Sequence, residues 1–94
     1  MATVIITEEA QRQIHALPVS IRARMDKIVA RLERWPKVSG AKPLRGDLAG
    51  CYRMRTGDYR LQFRVIRGDA DANLATPDVV VIEKAGHRDG FYED

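Results

Sequence analysis

A chain of 94 residues with 45% hydrophobic and 31% charged residues has the length of one domain and an ordinary globular balance. That composition argues against disorder over most of the chain, and no apolar stretch approaches the roughly 18 residues needed to cross a membrane. The net charge of +3 is mild, Cys51 has no internal disulfide partner, and His15, His87 and Cys51 stand at no recognised zinc spacing.

The N-terminal MATVIITEEA lacks a charged start followed by a long apolar run, so no secretory signal is expected, and a lone cysteine fits a reducing cytoplasm. Residues 1–6 are short, β-branched and apolar, and read as a strand. Thr7, followed by Glu8, Glu9 and Ala10, reads as a helix start. Its hydroxyl can accept a backbone N–H, and the two acids sit well at the positive helix end. This first helix is expected to reach about Leu17. Pro18 interrupts it and suits the first position of a second helix. In that helix Ile21, Met25, Ile28, Leu32 and Trp35 recur at alternating intervals of four and three, which predicts one apolar stripe. Arg22, Lys27, Arg31 and Arg34 fall largely outside it. Pro36 stops the helix, and Met25 and Trp35 read as core packing rather than a ligand box.

Residues 37–50, rich in Gly, Pro and Lys, read as a loop. Cys51–Arg55 and Tyr59–Arg67 read as strands joined by Thr56-Gly57-Asp58, since Gly next to Asp in a very short connection is a hairpin signal. Residues 68–77 are polar, small and acidic, and read as an exposed loop. Val79–Glu83 is the last strand, followed by a tail from Gly86 to Asp94. The expected architecture is an α+β single domain over residues 1–94, in the order β-α-α-β-β-β. Two N-terminal helices pack on one face of a small, mostly antiparallel four-stranded sheet, which leaves the other face at least partly open.

Side chains alternate across a strand. Tyr59, Leu61, Phe63 and Val65 then share one face, and Tyr52 with Met54 line the same core. Arg53, Arg55, Arg60 and Arg64 gather on the open face. Such a cluster repels itself and is not called for by fold stability. It fits a phosphate backbone, which Arg grips through two donors. It also fits an exposed sheet whose arginines pair with Asp47, Glu83 or Asp89. The charge distribution bears on the same choice. Residues 10–45 carry nine Lys/Arg against Asp26 and Glu33, residues 46–67 carry five Arg against Asp47 and Asp58, and residues 68–94 carry seven acids against Lys84 and Arg88. That asymmetry fits a polyanionic partner meeting part of the surface, and equally fits solvated helix faces. The tail adds His87, which exchanges a proton near neutral pH, the cation Arg88, and Phe91 and Tyr92, which can stack on bases. RNA cleavage without a metal needs a group to take the 2′-hydroxyl proton, a cation on the phosphorane and a donor to the leaving 5′-oxygen. The chain offers a candidate for each.

Pro43-Leu44-Arg45-Gly46, the run from Cys51-Tyr52-Arg53-Met54-Arg55 through Gly57-Asp58-Tyr59-Arg60-Leu61, and Val79–Ile82 followed by Gly86-His87-Arg88 and Tyr92 together resemble the RelE/ParE toxin superfamily, over nearly the whole chain. The resemblance implies a toxin of a type II toxin–antitoxin system in the RelE branch. Such toxins are endoribonucleases that cut mRNA in the ribosomal A site and are silenced by a cognate antitoxin. It implies that Arg60 holds the scissile phosphate, that Arg88 stabilises the transition state or acts near the leaving group, and that Tyr92 stacks on or orients a base. Arg45, Arg53, Arg55 and Arg64 would bind RNA phosphates. Some ribonuclease members carry lysines where this chain has Arg53 and Arg55. Arginine is a poor base because its pKa exceeds about 12, so His87 is the preferred proton-transfer group here. No cofactor is implied, because the substrate's own 2′-hydroxyl serves as nucleophile. Two other functions stay open at this point: a ParE-like poison that binds DNA gyrase, and an RNA-binding relic without chemistry.

Overall fold

In the computed structural model, which describes residues 2–68 and 77–91, the β-branched segment Thr3–Ile6 forms strand β1 and Thr7 turns the chain into a helix. The Thr7 hydroxyl accepts the Ala10 N–H at 3.1 Å, and Glu8 and Glu9 occupy the first turn of α1 (Glu8–His15). Capping and helix-end charge thus act as the local sequence predicts. The helix stops short of Leu17 because Ala16 and Leu17 close it with tighter bonds, Leu17 N–H donating to the Ile14 carbonyl. Pro18 caps α2 (Val19–Leu32) from outside, its extended ψ of 149° bringing the chain into the helix. On α2, Met25, Ile28 and Leu32 are buried and Ile21 is partly buried beside them. The helix ends at Leu32 rather than at Pro36, because the next residues close it with tighter bonds, Trp35 N–H donating to the Leu32 carbonyl, and Trp35 packs on the core from that turn.

The sheet corrects the expectation in one respect. It has five strands, because Lys42–Pro43 forms a two-residue strand, β2, inside the segment expected to be loop, followed by a 3-10 turn at Gly46–Leu48. Two residues, one of them a proline without an N–H, produce no alternation for a sequence pattern to register. The remaining strands are β3 (Cys51–Thr56), β4 (Tyr59–Ile66) and β5 (Val79–His87). Their order is β1-β5-β4-β3-β2, with β1 parallel to β5 and every other pair antiparallel. Strand β5 continues past its apolar run, through Lys84, Ala85, Gly86 and His87, because these residues pair with Gln62, Leu61, Arg60 and Tyr59. The register slips once: Gln62 opposes Lys84 and Phe63 opposes Ile82, so Glu83 is the extra residue of a bulge. Beyond the end of β1, the Gln13 Oε1 of α1 accepts the Ala85 N–H at 2.8 Å and covers the exposed edge of β5.

The helices cover one sheet face. Leu61, Phe63, Val80 and Ile82 are fully buried against Ala10, Met25 and Leu32. Full burial of each large apolar side chain stabilises the fold by about 1.5–3 kcal/mol. The rings of Trp35, Tyr52 and Phe63 close one end of this core, with centroids 4.8–5.5 Å apart. No helix is long and apolar enough to cross a membrane among the described residues. Residues 69–76 of the expected acidic loop, and Tyr92, lie outside the described residues.

Candidate nucleic-acid interface

Residues directly opposite each other on neighbouring strands share a face. Met54 opposes Leu61 and Tyr52 opposes Phe63 on the core side. On the other side Arg55 opposes Arg60, Arg53 opposes Gln62 and Cys51 opposes Arg64. The four arginines therefore share the face away from the helices. The hairpin keeps them in phase because its turn is only Gly57 and Asp58, between the paired residues Thr56 and Tyr59. Following the pairs across the sheet gives two rungs on this face: Lys42–Arg53–Gln62–Lys84 and Arg55–Arg60–Gly86. Like charges stand directly opposite each other in both, at Lys42 with Arg53 and at Arg55 with Arg60, an arrangement that costs stability. Alternation along β4 already places Gln62 beside Arg60 and Arg64, whereas Lys42 and Lys84 were not singled out from the sequence. Lys42 sits in the unrecognised strand, and the phase of Lys84 depends on the bulge at Glu83.

The arginines are not equivalent. Arg64 Nε lies 3.4 Å from Glu83 Oε2, so its charge is partly answered within the fold. The Cys51 thiol donates to the other oxygen of Glu83 at 3.6 Å, and burial together with the Glu83 charge raises the Cys51 pKa. Arg60 Nη1 donates to the carbonyls of Gly57 and Tyr59, both at 3.2 Å, which holds the guanidinium towards the hairpin turn. Arg88 reaches the same turn: its N–H donates to the Asp58 carbonyl at 2.7 Å, and its side chain lies 3.7 Å from both Asp58 and Asp89. Arg24 of α2 arrives there too, with Nη1 3.6 Å from where a Cβ on Gly57 would stand. Arg24 was not singled out from the sequence. Arg45 and Arg53 line an open groove of about 500 Å³ with Lys42, Pro43 and Leu44, and Arg53 Nε is buried there with no hydrogen-bond partner.

The tail differs from the expectation. His87 belongs to β5, opposite Tyr59, so alternation turns it to the face opposite Arg60. Its ring meets Tyr59 edge-on at 5.2 Å, and its Nδ1 accepts the Asp89 N–H at 3.1 Å. Phe91 is 3% exposed: its ring lies against Gly86, and the Lys84 ammonium stands 4.7 Å from the ring and donates to the Phe91 carbonyl. Phe91 is thus a packing residue on the arginine face, not a free stacking surface. Among the described residues no group of three His, Cys, Asp or Glu side chains could hold a metal ion.

No protein-family model matches the chain. The chain is 38% identical over 91 residues to the toxin RelG of Mycobacterium tuberculosis, an alignment covering 96% of this chain and 94% of that protein. Its fold matches the crystal structure of the toxin–antitoxin complex RelBE2 from Mycobacterium tuberculosis, with a TM-score of 0.69 and 37% identity over 92% of this chain and 96% of that one. The isolated RelE toxin of E. coli shares the fold at a TM-score of 0.68 and 23% identity, over 90% of this chain and 82% of that one.

Proposed function

The chain belongs to the RelE family of toxins, and from that premise we propose that it is an endoribonuclease that cuts mRNA, in the ribosomal A site, through its arginine-bearing sheet face. The observation that carries this reading is the set Arg53, Arg55 and Arg60. These cations share one face, stand opposite other groups of the same rung, and form no ion pair among the described residues. A phosphodiester is the counter-charge that such a set lacks. In the proposed reaction the 2′-oxygen of the substrate attacks the adjacent phosphorus and the bond to the 5′-oxygen breaks. The products are a 2′,3′-cyclic phosphate and a 5′-hydroxyl. The 2′-hydroxyl proton passes to solvent water, and a solvent water supplies the proton that the departing 5′-oxygen takes up. Arg60 and Arg88, both tied to the Gly57-Asp58 turn, answer the charge that builds on the phosphorane. Arg45, Arg53 and Arg55 hold flanking phosphates, Arg64 contributes less because Glu83 already answers it, and Tyr92 is retained as the residue that orients a base.

His87 is better assigned to positioning than to proton removal. Its Nδ1 accepts the Asp89 N–H at 3.1 Å, and its ring lies on the sheet face opposite Arg60, away from the cations that hold the phosphate. Single-turnover mRNA cleavage on programmed ribosomes tests both assignments. Arg60→Ala should lose about 10²–10³-fold at every pH, the cost of one charge-stabilising donor, and Arg60→Lys should recover part of it. His87→Ala should keep the pH profile and most of the rate. A loss of about 10²–10⁴-fold, with disappearance of the limb near neutral pH, would restore His87 as the proton-transfer group.

We further propose that a cognate antitoxin silences the chain by covering this face with an acidic segment, as fits kinship with a toxin solved in complex with its antitoxin. Expression of the chain alone should arrest growth and co-expression of that antitoxin should relieve the arrest. Arrest that persists when the antitoxin co-purifies with the chain would sink this assignment.

A further inference from the structure

Gln62 is 7% exposed and is the buried polar residue of the described chain, yet it stands on the arginine face and not in the helix-covered core. Its neighbours Leu61 and Phe63 fill that core from the opposite side of β4. An apolar residue at 62 would bury without polar cost, and a cation would complete the row Lys42–Arg53–Lys84. A neutral amide does neither. Among the described residues that amide makes no hydrogen bond, and Lys84, its partner on β5, directs its ammonium to Phe91. On the β3 side its partner is Arg53, whose Nε is buried and unpartnered at the wall of the open groove. One rung of the sheet thus holds a buried cationic donor without a partner and, beside it, an amide whose polar atoms reach the surface without a protein partner among the described residues.

We propose that Gln62 reads the base edge of the nucleotide whose phosphate lies on Arg53, and so sets a base preference next to the cut. A phosphate presents only acceptors and is served by Arg53. An amide presents a carbonyl acceptor beside NH₂ donors, which complements a base edge with adjacent donor and acceptor. Adenine offers that pairing on two edges, N6–H with N1 and N6–H with N7, and is the base assigned here. The proposal rests on the ribonuclease reading and adds a specificity residue to it.

The test is cleavage of an mRNA pool carrying all four bases at each position around the cut, on ribosomes, with the ends mapped. The unmodified chain should favour adenine at one position by about tenfold or more, the discrimination that a two-bond amide–base contact provides. Gln62→Leu should flatten that preference while leaving total cleavage within a few-fold. Gln62→Glu, of the same shape but acceptor only, should move the preference from adenine to cytosine, whose N4 amino group donates. If Gln62→Leu does not fold, Gln62→Glu decides. An unchanged profile in the variants, or an equal loss at every base, overturns the assignment of Gln62 and leaves the ribonuclease reading standing. No cleavage by the unmodified chain overturns both.

Discussion

At Cys51 a side chain overlooked by any catalytic reading has a measurable consequence. Burial first, and the Glu83 charge second, raise its pKa above the ordinary value of 9.0, while Arg64 opposes the shift. A thiol that ionises less readily when folded contributes stability that is intact below the unfolded pKa. That contribution is lost as pH rises through the folded one. The melting temperature should therefore fall as pH climbs above 9, and the fall should be shallower in Cys51→Ala, whatever the cavity does to the absolute value. Parallel curves for the two proteins would show that Cys51 does not carry the effect. The same rung explains the unequal standing of the arginines: Arg64 answers Glu83, whereas Arg55 faces only Arg60.

The hairpin β3–β4 is the element on which the candidate site is built. Gly57 adopts φ +60°, a region that costs an L-residue roughly 1–2 kcal/mol, so Gly57→Ala should lower unfolding stability by about that amount in a urea titration. Its carbonyl holds the Arg60 guanidinium, and the next residue holds Arg88, so cleavage should fall further than stability alone explains. A variant with lowered stability but unchanged cleavage would show that the turn does not place these arginines. The Gly57-Asp58 connection was legible in the sequence because it couples a glycine to two alternating runs. The end of β5 was not legible, since Lys84-Ala85-Gly86 carries little strand propensity and joins the sheet only because β4 offers it a partner.

Over the whole molecule, charge is distributed by topology more than by composition. A net charge of +3 is modest, yet Lys42, Arg53, Arg55, Arg60 and Lys84 share one sheet face. Binding of a single-stranded RNA methylated at the reacting 2′-oxygen should weaken steeply with salt, by a slope of about 0.7 in log affinity per phosphate contact. Arg55→Ala should reduce that slope by about one such step. Arg64→Ala should change it little, because its charge already answers Glu83. Equal reductions for the two variants would remove the distinction drawn between paired and unpaired arginines.

Local rules were enough to specify the cap at Thr7, the apolar stripe from Ile21 to Leu32, the hairpin and the common face of Arg53, Arg55, Arg60 and Arg64. Each depends on spacing of three or four along a helix, or two along a strand, and those periods are written in residue order. The side of the sheet taken by His87, the burial of Phe91, the arrival of Arg24 at the hairpin turn, and the isolation of Gln62 among cations were decided only by tertiary structure. They depend on which strands lie next to each other, on the extra residue at Glu83, and on a two-residue strand at Lys42–Pro43. Sequence order does not encode those long-range pairings in any periodic form, because they arise when helix burial and sheet hydrogen bonding are satisfied together.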